Sequence, residues 1–409
     1  MNSIAHTQRE ERPGRGTALQ VLQVFFKLGV SSFGGPIAHI GYFRNEFVTR
    51  RRWLDEQAYA DLVALCQFLP GPASSQVGFA IGLKRAGYPG GLAAWAGFTL
   101  PSAIALVLFA YGAAALSGPL GAGLLHGLKL VAVAIVAQAV WGMARSLCPD
   151  RERASIAAVS AVIILFSTAS LSQIAAILIG ALAGLWLCQG AVPPTGGQLG
   201  LKVSRRAGVV ALATFFVLLA ICLVVKGRSQ LSSLELFAAY YRSGALVFGG
   251  GHVVLPLLRE AFVNPGWIGD DTFLAGYGAA QAVPGPLFTF AAFLGTVVKV
   301  EPHGLAGAVL GLLAIFLPGI LILVGMLPFW DDLRIKPGAQ AAMRGINAAV
   351  VGILGAALYS PVFTTAVKAP GDFAVALIGF VLLTAWHAPP LLAVIISACL
   401  GMVLALIPP

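Results

Sequence analysis

Four short stretches hold residue types that could grip an anion, and they come in two pairs. "KLGVSSFGGP" places Lys27 ahead of Gly34 and Gly35, and "RSGALVFGGG" places Arg242 ahead of Gly249 and Gly250. "QFLPGP" sets Gln67 three residues before a Pro-Gly-Pro turn around Gly71, and "QAVPGP" repeats that spacing with Gln281 and Gly285. Glycine lets a backbone leave the helix, and Pro36, Pro72 and Pro286, each directly after a glycine, suit the first turn of a new one. N–H groups left unpaired at a helix start, together with the partial positive charge there, suit an oxyanion. The expected site is built from the backbone amides after Gly35, Gly71, Gly250 and Gly285, with positive charge from Lys27, Arg242 and Lys129.

Neutral donors stand nearby: Gln67, Gln281, Ser74, Ser75, Thr289 and Asn347, for which hydrogen bonds between helices are the competing role. Lys27 and Lys129 could instead snorkel to an interface. His39 and Asp61 are the candidates for carrying a coupling proton, with a hydrogen-bonded core role equally open to His39 and His126. Glu46 and Glu260 are expected to pair with Arg50 and Arg259, or to face water.

These residues are set in an oily chain. Of 409 residues, 58% are hydrophobic and 10% charged, and the mean hydropathy is +0.88, which excludes an ordinary soluble globule. Uncharged runs long enough to cross about 30 Å of hydrocarbon recur, so the expected class is all-α and polytopic. The net charge of +10 lies in short basic clusters between apolar spans, a topology signal that speaks against nucleic acid. The five cysteines form no C-x-x-C pair and read as packing residues. No nucleotide-binding G-x-x-x-x-G-K-[ST] occurs, and no cofactor, metal site or catalytic residue is expected.

Shifted by about 215 residues, the chain resembles itself: 25–36 matches 240–251, 66–72 matches 280–286, 98–102 ("FTLPS") matches 315–319 ("IFLPG"), and Lys129 falls on Asn347. The loop "RRRWLDE" carries three arginines where its counterpart "NPGWIGDD" carries none, which predicts halves of opposite orientation. Basic loops all fall on one side if 17–48 and 58–83 fold back at their breaks as re-entrant hairpins. The expected organisation is a cytoplasmic tail (1–16), a first transmembrane repeat (17–190), a basic linker (191–207), a connecting helix (208–233) and a second repeat (234–409). Irregular backbone at membrane depth is tolerated only where protein or a polar cavity surrounds it, so breaks repeated in both halves mark a substrate site.

"FFKLGVSSFGGPIAHIGYF", "FLPGPASSQVGFAIG" and "YRSGALVFGGGHVVLPLL" resemble the chromate ion transporter family in its long, two-domain form, over nearly the whole chain. The resemblance implies export of chromate, a tetrahedral dianion similar to sulfate, across the bacterial cytoplasmic membrane, and resistance to chromate. One departure is "FGGG" in the second half where the first has "FGGP". The residues alone imply an anion transporter, by default secondary, with lipid as its other partner and room for a homodimer. A channel for the same anions and a membrane-embedded enzyme acting on a lipid phosphate are the alternatives.

Overall fold

The computed structural model describes residues 16–115, 118–167, 172–189, 203–225 and 232–406. Every regular element among them is helical. The expected tail up to residue 15 and the expected linker up to residue 202 lie outside the described residues.

The first half opens with two broken pairs of helices. In α1 (Ala18–Ser31) the Thr17 hydroxyl caps the start by accepting the Gln20 N–H, and the helix stops before the Phe-Gly-Gly break. Fourteen residues rise about 21 Å, too little to cross 30 Å of hydrocarbon. α2 (Gly35–Arg44) restarts at Pro36 and continues through a π turn, Asn45–Arg50. Asp55 then caps α3 (Glu56–Phe68), and the Pro-Gly-Pro turn leads into the run Ala73–Ala115. That run is not one rod. At Ala86 and Gly87 the backbone is non-helical, dividing it into α4 (73–85) and α5 (88–115).

The ends of these limbs meet. The Gly16 N–H donates to the Arg85 carbonyl (3.2 Å), and the guanidinium groups of Arg51 and Arg85 lie over the Trp53 ring at 5.6 and 5.0 Å. The start of the first pair, the turn between the pairs and the end of the second pair therefore share one face, as re-entrant hairpins require.

After α6 (Gly118–Leu147), α7 (Arg151–Phe166), α8 (Ser172–Leu187) and α9 (Arg205–Val224), the second half repeats the plan. α10 (Ser232–Ala245) ends at its break, and a 3-10 turn leads into α11 (Val254–Phe262). α12 (Asp270–Ala280) and α13 (Phe290–Val297) flank the second Pro-Gly-Pro turn. The Lys299 N–H donates to the Trp267 carbonyl at 3.1 Å, so this hairpin too returns to the face it left. α14 (Gly304–Met326), α15 (Pro337–Ala357), α16 (Pro370–Thr384) and α17 (Pro390–Leu406) complete the chain.

α5 shows that the halves are inverted. It starts just after Arg85, at the mouth of the first-half hairpins. Its far end carries Phe109, whose ring lies 5.8 Å from Phe293, and Tyr111, whose hydroxyl lies 3.1 Å from where a Cβ on Gly304 would stand. The two mouths thus lie at opposite ends of a helix about 40 Å long. The halves also exchange helices: α17 packs on α6, and its counterpart α8 packs on α15. Small residues allow both approaches, a Cβ on Gly123 falling 2.8 Å from the Gly401 carbonyl and one on Gly345 falling 2.7 Å from the Gly184 Cα.

The connecting helix differs from expectation. It runs Arg205–Val224, starting three residues ahead of expectation because Ser204 caps it, its hydroxyl accepting the Ala207 N–H. Arg259 pairs with Asp270 at 2.9 Å, because the turn after α11 brings that carboxylate to it. Glu46 binds both Arg50 and Arg51.

Candidate functional site: the junction of the four breaks

All six break glycines named above have positive φ: Gly34 102°, Gly35 75°, Gly71 118°, Gly249 74°, Gly250 145° and Gly285 94°. Only glycine adopts such angles without strain, which is why these positions carry it. The breaks of one half bind those of the other. The Gly71 N–H donates to the Val247 carbonyl at 2.7 Å, and the Gly285 N–H donates to the Ser32 carbonyl at 2.9 Å. Gly71 corresponds to Gly285 and Val247 to Ser32, so the two bonds are related by the duplication. Pro36 and its counterpart Gly251 face each other across the same axis, a Cβ on Gly251 falling 3.2 Å from the proline ring. The second-half break therefore carries glycine where the first carries proline because there is no room for two rings.

The junction lies at mid-depth. Ser102, halfway along α5, would collide with a Cβ on Gly285, and the Phe98 carbonyl stands 3.0 Å from the same point. On the other side a Cβ on Gly71 would fall 3.0 Å from the Cα of Gly319, the counterpart of Ser102. The Gln76 amide ties the two halves by donating to the carbonyls of Pro70 (3.0 Å) and Gly319 (2.9 Å).

His39 joins the two breaks of the first half. It is fully buried, edge-on to Phe98, with Nε2 3.1 Å from the Ser32 carbonyl and Nδ1 3.3 Å from the Ser74 hydroxyl. A carbonyl only accepts, so Nε2 carries the proton, and in the neutral ring Nδ1 accepts from Ser74. The Ser32 carbonyl thus takes two donors, His39 and Gly285. Val254 occupies the position of His39 in the second half, and the Val247 carbonyl lacks such support.

The remaining expected residues are distributed unevenly. Prolines follow Gly35, Gly71 and Gly285, so no N–H exists at those three positions, and the N–H groups of Gly71 and Gly285 themselves are spent on the bonds between halves. Asn347 does reach the junction, its side-chain oxygen 3.4 Å from where a Cβ on Gly249 would stand. Gln281 is half-buried with its amide nitrogen unpartnered among the described residues, whereas Gln67 is exposed. Lys27 is exposed on α1, just before its last turn. Arg242 donates to the Cys222 carbonyl at the end of α9 (2.9 Å), Lys129 pairs with Asp271 (2.9 Å), and Arg344 donates to the Cys188 carbonyl. Asp61 lies 3.5 Å from Arg334, an ion pair between halves, and His126 binds Asp372 at 2.7 Å.

Sequence reasoning missed Gln76, Ser32, Thr99 and Ser102. The hydroxyls of the last three are buried and find no partner among the described residues. The signal was present in the internal alignment, where "FTLPS" carries hydroxyls that "IFLPG" lacks.

The family model described as Chromate transporter matches residues 19–185 and 234–402, once in each half. The chain belongs to the chromate transporter family. It is 30% identical over 372 residues to a chromate transport protein of Pseudomonas aeruginosa, covering 86% of this chain and 82% of that one. A probable chromate transport protein of Synechococcus elongatus is 27% identical over 94% of this chain and 95% of its own, and a chromate transport protein of Cupriavidus metallidurans 24% identical over 84% and 82%. No solved structure matches. This chromate transporter family member is a multi-pass membrane protein whose family is one of transporters, not enzymes, and its duplicated family match coincides with the two structural halves.

Proposed function

We propose that this protein exports chromate across the bacterial cytoplasmic membrane by secondary transport, the oxyanion passing through the junction of the four breaks. The observation that carries the proposal is the reciprocal pair of hydrogen bonds, Gly71 to Val247 and Gly285 to Ser32. Inverted repeats whose broken helices meet at mid-depth can rock about that point, exposing it to one side and then the other. An inside-negative potential drives a dianion outward by about 2.3 kcal/mol per charge per 100 mV, so export requires little further coupling.

Lys27, Arg242 and Lys129 supply cations along the path. Arg242 and Lys129 exchange their present partners for the anion as the halves move. Gln281 and Asn347 offer neutral donors beside the glycine turns Gly34–Gly35 and Gly249–Gly250, Ser74 joins them when its hydroxyl turns from His39 to the anion, and Gly71 and Gly285 hold the junction. His39 and Asp61 are the residues through which a counter-moving proton would pass. Sulfate, with the same tetrahedral geometry, competes for the site.

The test is uptake of radiolabelled chromate into everted membrane vesicles carrying the protein, with and without excess sulfate and with Lys27→Ala. Energy-dependent accumulation above empty vesicles, reduced by sulfate and by the substitution, is expected. Uptake no greater than in empty vesicles refutes chromate export. Flux without counterflow would make the protein a channel.

A further inference from the structure

The duplication makes the breaks equivalent in backbone, yet their side chains differ. Ser32, Thr99 and Ser102 are each no more than 1% exposed, and their hydroxyls have no partner among the described residues. Their counterparts by the internal alignment are Val247, Phe316 and Gly319, none of which has a side-chain donor. Ser32 and Ser102 both border Gly285: the Ser32 carbonyl accepts its N–H, and the Ser102 hydroxyl abuts the space beside its Cα. Thr99 is one helical turn before Ser102, on the same face of α5.

A buried hydroxyl without a partner loses its hydrogen bonds to water and regains nothing, so alanine would be the more stable choice at such a site. Three such hydroxyls in the first half, whose second-half counterparts carry none, are free to meet a ligand. Neutral O–H donors meet the oxygens of a desolvated oxyanion without the cost of burying another cation at mid-depth.

We infer that the oxyanion docks off the pseudo-twofold axis, on the first-half side, where Ser32, Thr99 and Ser102 donate to its oxygens while their second-half counterparts Val247, Phe316 and Gly319 supply no side-chain donor. His39 is a positioning residue, since its bond to the Ser32 carbonyl fixes the backbone that carries one of the donors. The inference rests on the junction being the transport site and adds which side of it binds.

The experiment measures chromate uptake in everted vesicles for the intact protein, Ser32→Ala, Thr99→Val, Ser102→Ala and the Ser32→Ala/Ser102→Ala double variant, with thermal midpoints of the purified proteins. The expected result is a KM raised about tenfold by each serine substitution, equivalent to 1.4 kcal/mol, and further by the pair, with maximal rates within about twofold. Thermal midpoints should be unchanged or higher, which a structural role for these hydroxyls would not produce. An unchanged KM in the double variant, or a KM change that tracks a falling midpoint, overturns the inference. If the intact protein transports no chromate, the proposed function fails separately. Equilibrium binding of radiolabelled chromate and sulfate to the purified intact and double-variant proteins then decides, equal binding overturning the hydroxyl site.

Discussion

The two halves solve one backbone problem with different side chains. Both break their first helix at a Phe-Gly-Gly turn, both break their second at Pro-Gly-Pro, and each gives a glycine N–H to the other half. In the first half, His39 and a set of hydroxyls surround the junction, and the mouth of the hairpins carries Arg51 and Arg85 on Trp53. In the second, Val247, Phe288, Phe316 and Gly319 take the equivalent places, and the mouth carries Asp270 and Asp271. Under the proposed rocking mechanism the backbone geometry must stay symmetric, whereas side chains around a single oxyanion need not.

The comparison can be broken most completely by labelling. Single cysteines at Arg52 and Pro265, both exposed at the turns between hairpins, should react with an impermeant thiol reagent from opposite sides of the membrane in a cysteine-free background. Labelling from the same side would refute the inverted arrangement.

A smaller but still large difference is expected between glycines. At Gly285 a methyl group meets the Ser102 hydroxyl and the Phe98 carbonyl, at a φ of 94°, so Gly285→Ala should cost about 3 kcal/mol or more from strain and overpacking and abolish uptake. Gly250 has nothing within 4 Å of such a methyl, so Gly250→Ala should cost about 1–3 kcal/mol from backbone strain alone. Thermal unfolding in detergent with uptake assays checks both.

The ion pairs at the two faces should differ next. Asp61 and Arg334 are 9% and 13% exposed, and Asp61→Ala should destabilise by about 2 kcal/mol, since the guanidinium loses its buried partner and keeps the exposed Asp331 at 3.2 Å. Asp271, 74% exposed, should cost at most about 1 kcal/mol when replaced by alanine, despite its shorter contact with Lys129. Equal losses in the two variants would show that burial is not what separates them.

The smallest effect lies outside the membrane-spanning segments, at Asp150, the cap of α7. Its carboxylate accepts the Arg153 N–H at 2.9 Å, and the Arg153 side chain, bonded to the same group, holds its pKa below the ordinary value. A lowered folded pKa means that this contribution is present at neutral pH and is lost as pH falls through that lowered value. Asp150→Ala should cost about 1 kcal/mol or less at pH 7, and the gap to the intact protein should close in acid.

Much of the fold was legible because membrane burial constrains sequence tightly. Hydropathy predicts spans near 120–144 and 304–328, close to the helices Gly118–Leu147 and Gly304–Met326, and positive-inside bookkeeping required 17–48 and 58–83 to fold back, as Arg85 over Trp53 together with the Gly16–Arg85 bond bears out. The site was half legible. Glycine and proline at a break announce themselves, since few other residues take those backbone angles. Arg242 shows the limit: its charge was evident, but its hold on the Cys222 carbonyl depends on where α9 lies, and no local pattern encodes that.

By itself, the sequence determined the helical class, the duplication, the opposite orientation of the halves and the four break points, because each follows from hydropathy, charge placement or backbone sterics within a short window. Only the tertiary structure decided that the breaks pair across the halves, that the N–H groups of Gly71 and Gly285 are spent in doing so, and that the hydroxyls of Ser32, Thr99 and Ser102 are buried with no partner among the described residues. Those outcomes depend on which groups more than 200 residues apart come within hydrogen-bond reach, and that is fixed by packing.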